Sequence, residues 1–209
     1  MPCRVFRSLT AAFAPLPTEN VDTDQIIPAR FLTTTGRTGL GRHAFHDWRY
    51  RADGSPNPGF VFNDPRFSDA RILVAGRNFG CGSSREHAVW ALLGAGIEAV
   101  VSSQFADIFR GNALGNGLLP VEVPDAIVSE LLATGDAIPD QTLTIDLEAQ
   151  RLTLPDGRSV SFPIAPFAKH RLLNGLDEFD FLLQALPDIE AYEENGSTRA
   201  ISTITSEVP

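Results

Sequence analysis

The fold is decided by residues 71–103, RILVAGRNFGCGSSREHAVWALLGAGIEAVVSS. An apolar run, RILVAG, precedes a loop rich in glycine and serine, which leads into an apolar stretch of helical length and then into a second apolar run. The order strand, loop, helix, strand predicts a parallel crossover unit. Because such a unit points its loop and the first turn of its helix out at the carboxyl end of the strand, we expect chemistry at this loop.

The loop carries the residue types of an anion site. Gly80 and Gly82 permit backbone angles that a side chain would forbid, and Ser83, Ser84 and Arg85 follow where the helix begins. The first N–H groups of a helix lack internal partners and carry partial positive charge, so they favour a carboxylate or an oxyanion. Arg85 adds a planar guanidinium that can hold a carboxylate through two hydrogen bonds.

The same residues also fit structural roles. Ser83 and Glu86 have the spacing of a capping box, so one serine is suited to capping while the other is catalytic. Arg85 is compatible with a solvated surface charge, and His87 with a hydrogen-bonded structural histidine. Cys81 lies near a helix terminus, which can lower the pKa of a thiol, but nothing else marks it as a nucleophile.

Composition limits the class of protein. The 209 residues are 43% hydrophobic and 21% charged, as in an ordinary globular domain. The net charge of −9 and a single lysine, Lys169, disfavour nucleic-acid binding. The chain has neither an apolar stretch of membrane-spanning length nor a signal-peptide pattern, and its two cysteines suit a reducing compartment, so we expect a cytoplasmic protein. Zinc-type ligand spacing, a P-loop and an HExxH motif are also missing, and we expect no metal bound by this chain.

The flanking segments predict further elements of an α/β domain. Residues 4–32 predict an edge strand, a loop and the apolar turn IIPARFL, in which Pro28 ends any regular element. Residues 33–68 predict a long surface excursion that is either functional or ordered by a partner. Beyond the crossover unit we expect helices within 102–117, 127–135 and 166–194 and a strand at 118–123. The runs TLTIDL and RSVSFPI, on either side of PDGR, predict a hairpin. The tail, 195–209, is expected to be mobile.

Four motifs, in this order, resemble one family. They are Asn20-Val21-Asp22-Thr23-Asp24-Gln25-Ile26-Ile27-Pro28, the loop Asn78 to Ala88, Phe105-Ala106-Asp107-Ile108-Phe109 with Gly117-Leu118-Leu119-Pro120, and Asn174-Gly175-Leu176-Asp177. The loop resembles the signature of the swivelling domain of aconitase-type hydro-lyases. Together the motifs, over about residues 4–194, resemble the separately encoded small subunits of the bacterial 3-isopropylmalate dehydratase family.

The resemblance implies a fold and a division of labour. Residues 1–194 would form a three-layer β/β/α swivelling domain. The reaction would isomerise 2-isopropylmalate to 3-isopropylmalate in leucine biosynthesis. Aconitase-type enzymes use a [4Fe-4S] cluster, which needs several closely spaced thiolates, and Cys3 and Cys81 cannot supply them. The cluster would therefore belong to a large-subunit partner in a heterodimer, and this chain alone would be inactive.

The resemblance also implies roles for individual residues. Ser83 would be the base, working as an alkoxide stabilised by helix-terminal N–H groups, and Arg85 would hold a substrate carboxylate, with Ser84 also contacting substrate. Asp22 and Asp24 fit either an Asx-type turn or the edge of the active site, where they would orient substrate or Arg85.

The segment 31–35, FLTTT, would meet the variable arm of the substrate through Thr33. An uncharged lining suits an isopropyl group better than the carboxylate arm of homoaconitate, because a buried unpaired carboxylate is costly. Arg30 or Arg37 could still swing in. Homoaconitate-type or citramalate-type substrates therefore remain open, as does a non-catalytic anion-binding assembly module.

Overall fold

A computed structural model describes residues 5–32, 36–138, 141–176, 183, 186–187 and 189–194. The strands are β1 (Ser8–Leu16), β2 (Ile72–Ala75), β3 (Ala99–Ser102), β4 (Leu119–Glu122), β5 (Thr142–Asp146), β6 (Arg151–Thr153) and β7 (Ser159–Ser161). The helices are α1 (Thr23–Ile26), α2 (His46–Arg49), α3 (Glu86–Gly94), α4 (Asp107–Asn116), α5 (Asp125–Ala137) and α6 (Pro166–Asn174). No helix within these ranges is long and apolar enough to span a bilayer.

The crossover unit predicted from residues 71–103 is confirmed. β2 and β3 pair in parallel, and α3 connects them. A second crossover through α4 places β4 beside β3, also in parallel. The loop before α3 therefore lies at the carboxyl edge of the parallel strands, as the sequence predicts.

The first strand is central, so the predicted edge position is wrong. Its residues Phe13–Leu16 pair in parallel with β2, whereas Ser8–Ala12 pair antiparallel with β5. The amino-terminal half alternates between exposed and buried positions and the carboxyl-terminal half is almost fully buried. This contrast is expected for a strand that begins in an antiparallel sheet with one solvent-exposed face and continues into a parallel sheet that is covered on both faces.

The antiparallel half of the sheet consists of β5, β6 and β7 in that order. The PDGR turn is confirmed as a hairpin turn, with Gly157 at a positive φ of 89°. Its first strand, however, is the short Arg151–Thr153, and the predicted partner TLTIDL lies on the far side of that strand as β5.

The domain has three layers, and an apolar core lies between each pair of neighbouring layers. The first lies between the parallel strands and the α3–α4 side, where Leu73 and Val100 meet Val89. The second joins Val74 and other residues of the parallel strands to Ile145 and other residues of the antiparallel strands. Both halves of the sheet thus cover one core, and the curled sheet with its helices confirms the β/β/α fold class.

The described part of the long excursion, residues 36–68, is ordered by the chain itself. Short 3-10 turns and α2 carry an aromatic cluster in which Phe45 packs against Trp48, Phe60 and Phe62. Gly41 rests directly on the end of α3, because a Cβ at this position would overlap backbone atoms of that helix. The excursion is therefore a packed part of the domain.

Candidate active site at the start of the third helix

The loop before α3 presents both serines to solvent. Ser83 and Ser84 are exposed, and Arg85 is the N-cap residue, without a capping hydrogen bond from its side chain. The capping box proposed for Ser83 and Glu86 does not form, because the Glu86 carboxylate instead accepts a hydrogen bond from Asn116 at 2.9 Å. That structural alternative is wrong, and the two hydroxyls lie beside a helix start of positive potential.

Both loop glycines have the backbone conformation for which the sequence singled them out. Gly80 has φ 77° and Gly82 has φ 91°, in the left-handed region that residues with a Cβ rarely adopt. At Gly80 a Cβ would also overlap the ring of Phe109 on α4. The loop can therefore pass close to α4 and turn toward α3 only with glycine at these positions.

The two aspartates of the first motif have different roles. Asp22 is the N-cap of α1 and forms a capping box with Gln25, through hydrogen bonds of 2.7 and 2.9 Å. Asp24 forms an ion pair with Arg85 Nη1, and this hydrogen bond holds the pKa of the Asp24 carboxyl below its ordinary value. The structure thus brings Asp24 to Arg85 and uses the Asp22 side chain to begin the helix. Contact between Asp22 and substrate stays a prediction.

Two arginines that were open as carboxylate ligands are engaged elsewhere. Arg30 donates to Asp47 at 3.0 Å and lies over the ring of Phe31. The guanidinium of Arg37 lies 5.1 Å from the centroid of the Trp90 ring on α3. Thr33, predicted to meet the substrate arm, lies outside the described residues.

Comparison with known proteins places this geometry in a family. The chain matches the model of the aconitase C-terminal domain over residues 3–126 and the LeuD_N model over residues 129–166. It is 56% identical to the 3-isopropylmalate dehydratase small subunit of Roseiflexus sp. (strain RS-1), over 95% of this chain and 97% of that protein. The chain belongs to the 3-isopropylmalate dehydratase small-subunit family.

Other members of the family are similar over comparable lengths. The small subunit of Anaeromyxobacter dehalogenans (strain 2CP-C) is 57% identical over 92% of this chain and 97% of that protein. A crystal structure of 3-isopropylmalate dehydratase from Methanocaldococcus jannaschii superposes with a TM-score of 0.61 at 26% identity, covering 89% of this chain and 99% of that one. The family assignment thus extends through both halves of the sheet.

The cysteines of this family member do not fit a cluster site. The sequence holds two, Cys3 and Cys81, and a four-iron cluster requires several closely spaced thiolates. Among the residues that the structure describes, no group of His, Cys, Asp and Glu is arranged to hold a metal ion. The Cys81 thiol donates to the Asn20 carbonyl at 3.3 Å, and burial, with the nearby Asp22 charge, raises its pKa. This thiol is therefore poorly suited to act as the nucleophile that its place near the helix allowed.

Sequence reasoning missed two polar residues that support the loop. Asn116 donates to Glu86 and accepts from Trp90 Nε1 at 2.8 Å, which ties the end of α4 to the start of α3. Thr23 is buried beside the loop and hydrogen-bonds to Ser83. Thr23 stands between the two aspartates of the first motif, and its position there is the one signal that could have indicated it.

Proposed function

We propose that this chain is the small subunit of a 3-isopropylmalate dehydratase. With a large subunit it would interconvert 2-isopropylmalate and 3-isopropylmalate by dehydration and rehydration, a step of leucine biosynthesis. The observation that carries the proposal is the 56% identity to a relative of that name over 95% of the chain. The exposed serines beside the Arg85–Asp24 pair support it. A cytoplasmic location stays a prediction.

Isomerisation moves a hydroxyl group between neighbouring carbons through an alkene. A base removes the proton from one carbon and the hydroxyl leaves from the next carbon, so that proton and hydroxide together make up the water that is lost. The reverse addition returns the proton and hydroxide with their positions exchanged. We assign the base to Ser83, whose exposed position beside the start of α3 would let N–H groups and the helix dipole stabilise an alkoxide. Ser84 is assigned to substrate binding.

Arg85 is assigned to a substrate carboxylate. Its side chain is 18% exposed and its Nη1 contacts Asp24, a contact that favours one orientation of the guanidinium. Arginine has five N–H donors arranged in a plane, so one pair can serve Asp24 while another grips a carboxylate. Asp24 would thus orient Arg85, one of the two roles, orienting substrate or Arg85, that the family resemblance implies for it.

The Lewis acid of the reaction is assigned to the large subunit. A [4Fe-4S] cluster there would polarise the departing hydroxyl of the substrate, because the two cysteines of this chain do not fit such a cluster. The contribution of this chain is then to hold a carboxylate and to move the proton at Ser83.

We infer that the variable arm of the substrate is uncharged. Arg30 and Arg37, on either side of segment 31–35, contact Asp47 and Trp90, respectively. A second or third carboxylate reaching this segment would therefore have to break these contacts or remain unpaired, which is costly in a desolvated site. An isopropyl group needs no such partner.

The test is co-expression with a candidate large subunit, followed by anaerobic assay. We expect the purified complex to contain iron and to form the alkene from 3-isopropylmalate, while neither chain alone forms the alkene. Homoaconitate and a citramalate-type substrate serve as competitors and should react at least ~10-fold more slowly, since one unpaired polar group can cost 1–3 kcal/mol. A complex with full iron content and no turnover of 3-isopropylmalate would contradict the proposal.

A further inference from the structure

Thr23 lies under the proposed catalytic turn without reaching the surface. It is the first residue of α1, and only 2% of its surface is exposed. Because it is buried, Thr23 cannot touch a substrate bound outside the loop. Any influence on catalysis must pass through the residues that it contacts.

The segment containing Thr23 forms a short ladder with the catalytic loop. The Val21 carbonyl accepts from the N–H groups of Gly80 and Cys81 at 2.8 and 3.2 Å. The N–H of Thr23 then donates to the Cys81 carbonyl at 2.9 Å. The final rung comes from the side chain, because the Thr23 hydroxyl donates to the Ser83 carbonyl at 3.0 Å.

The hydroxyl continues the ladder where the backbone cannot. The Thr23 N–H already donates to the Cys81 carbonyl, and a backbone carbonyl has no proton to donate, so within Thr23 only the hydroxyl can donate to the Ser83 carbonyl. Gly82, at φ 91°, turns the loop against Thr23, and a Cβ on this glycine would lie 3.7 Å from the Thr23 hydroxyl oxygen. The Gly82 turn therefore passes beside this hydroxyl at van der Waals distance.

The hydrogen bond from Thr23 to the Ser83 carbonyl orients the whole peptide group between Ser83 and Ser84. A trans peptide is planar, and its N–H points opposite to its C=O. Every peptide in the described residues is trans. Holding the Ser83 carbonyl toward Thr23 therefore directs the Ser84 N–H away from α1 and restricts the backbone that carries the Ser83 side chain.

We propose that Thr23 is a positioning residue for the proposed base. Its hydroxyl fixes the peptide between Ser83 and Ser84, and through it the direction of the Ser83 hydroxyl. The kinetic part of this inference rests on the proposed function. A misplacement of about 1 Å can cost about 100-fold in rate, so loss of this hydrogen bond should lower kcat by about 10-fold or more while KM changes little.

Two substitutions separate the hydroxyl from the packing of the side chain. Thr23→Val keeps the shape and loses the hydroxyl, whereas Thr23→Ser keeps the hydroxyl and loses the buried methyl. We expect the complex with Thr23→Ser to retain wild-type kcat within about 3-fold and the complex with Thr23→Val to lose about 10-fold or more. The Ser chain should have a lower Tm than the wild-type chain, because it loses the buried methyl group. Normal kcat in the Val complex would overturn the proposal, because the Thr23 hydroxyl would then have no effect on the rate.

A second pair covers the case in which the Val chain does not fold. Thr23→Ser and Thr23→Ala both lose the methyl and differ in the hydroxyl, so equal kcat in these two complexes would also overturn the proposal.

A spectroscopic measurement separates this inference from the proposed reaction. In the chain alone, the ¹³C signal of the Ser83 carbonyl should move upfield in Thr23→Val and stay near its wild-type position in Thr23→Ser, since only the former loses the hydrogen bond. An unchanged signal in Thr23→Val would refute the positioning role whatever the reaction. If instead the wild-type complex fails to turn over 3-isopropylmalate while the signal moves as expected, the proposed function fails and the structural role of Thr23 stands.

Discussion

Replacement of Arg85 by lysine tests whether the start of α3 holds a carboxylate. Lysine keeps the positive charge but loses the planar guanidinium that makes two parallel hydrogen bonds. A hydrogen bond to a charged group contributes about 1.5–3 kcal/mol, and about 1.4 kcal/mol is a tenfold change. Loss of one such bond should lower kcat/KM for 3-isopropylmalate by about 10- to 100-fold in the complex.

The same substitution should have little effect on folding. Arg85 pairs with Asp24, whose side chain is 54% exposed, and ion pairs with an exposed partner contribute about 0–1 kcal/mol. In a domain of this size, 1 kcal/mol shifts Tm by roughly 2–4 °C. We therefore expect Arg85→Lys to change Tm by less than about 4 °C, so that a kinetic loss cannot be ascribed to unfolding.

Asp24→Asn completes a double-mutant cycle. If Asp24 acts by orienting Arg85, this change should lower kcat/KM in the wild-type background and have little further effect beside Arg85→Lys. The pKa of Asp24 is lowered by its hydrogen bond from Arg85, so the stabilising ionised form is fully present above the unfolded pKa of about 3.9 and is lost only as the pH falls through the lower folded pKa. Asp24 should therefore not contribute to the acidic limb of the pH profile above about pH 5.

The assay is steady-state alkene formation by the complex, with Tm measured on the same preparations. Arg158→Lys is the matched control, because Arg158 pairs with Asp156 and Glu130 at the surface of the antiparallel half. The Arg158→Lys complex should have the same kcat/KM as the wild-type complex. Full activity of Arg85→Lys, or an equal loss in Arg158→Lys, would refute the carboxylate site. Additive losses in the double mutant would refute the orienting role of Asp24.

Three further predictions address the loop. Ser83→Ala should lower kcat of the complex by at least about 100-fold, the lower range for a positioned proton-transfer group, and steady-state kinetics showing near-normal turnover would exclude Ser83 as the base. Gly80→Ala should lower the free energy of unfolding in urea by about 2–5 kcal/mol, because a left-handed alanine and overlap with the buried Phe109 ring both cost energy. The control Gly111→Ala, on the exposed side of α4 with no atom near its Cβ, should raise it by about 0.5–1 kcal/mol. Cys81, measured with the other cysteine replaced by serine, should be alkylated with a midpoint above the pKa of about 8.5 of a free thiol, and a lower midpoint would contradict the burial argument.

Local patterns predicted the crossover unit because its determinants are local. The apolar runs that became β2 and β3, with an apolar stretch of helical length between them, specify strand, helix and parallel return within 33 consecutive residues. The positive φ angles of Gly80 and Gly82 follow from residue type, since glycine alone lacks the Cβ that penalises them. The prediction of an anion site at the loop has the same local basis, because it depends on the start of a helix.

The order of the strands depends on partners that are distant in sequence, and the predicted edge position of β1 was wrong. The sequence of β1 describes how its faces are buried but not which strands lie beside it. Its neighbours, β2 and β5, follow it only after long intervening segments. The alternation over Ser8–Ala12 is the same in an edge strand and in a central strand with one antiparallel neighbour, so the pattern could not distinguish the two.

The sequence by itself determined the elements, the position of the loop and the residue types available there. The family resemblance pointed from Asp24 to Arg85, but the contacts themselves, Asp24 with Arg85 and Thr23 with Ser83, join residues about 60 positions apart and were decided by the tertiary structure. Backbone preferences and burial periodicity act over a few residues, whereas these contacts arise because the parallel pairing of β1 with β2 brings the segments that follow both strands to the same edge of the sheet.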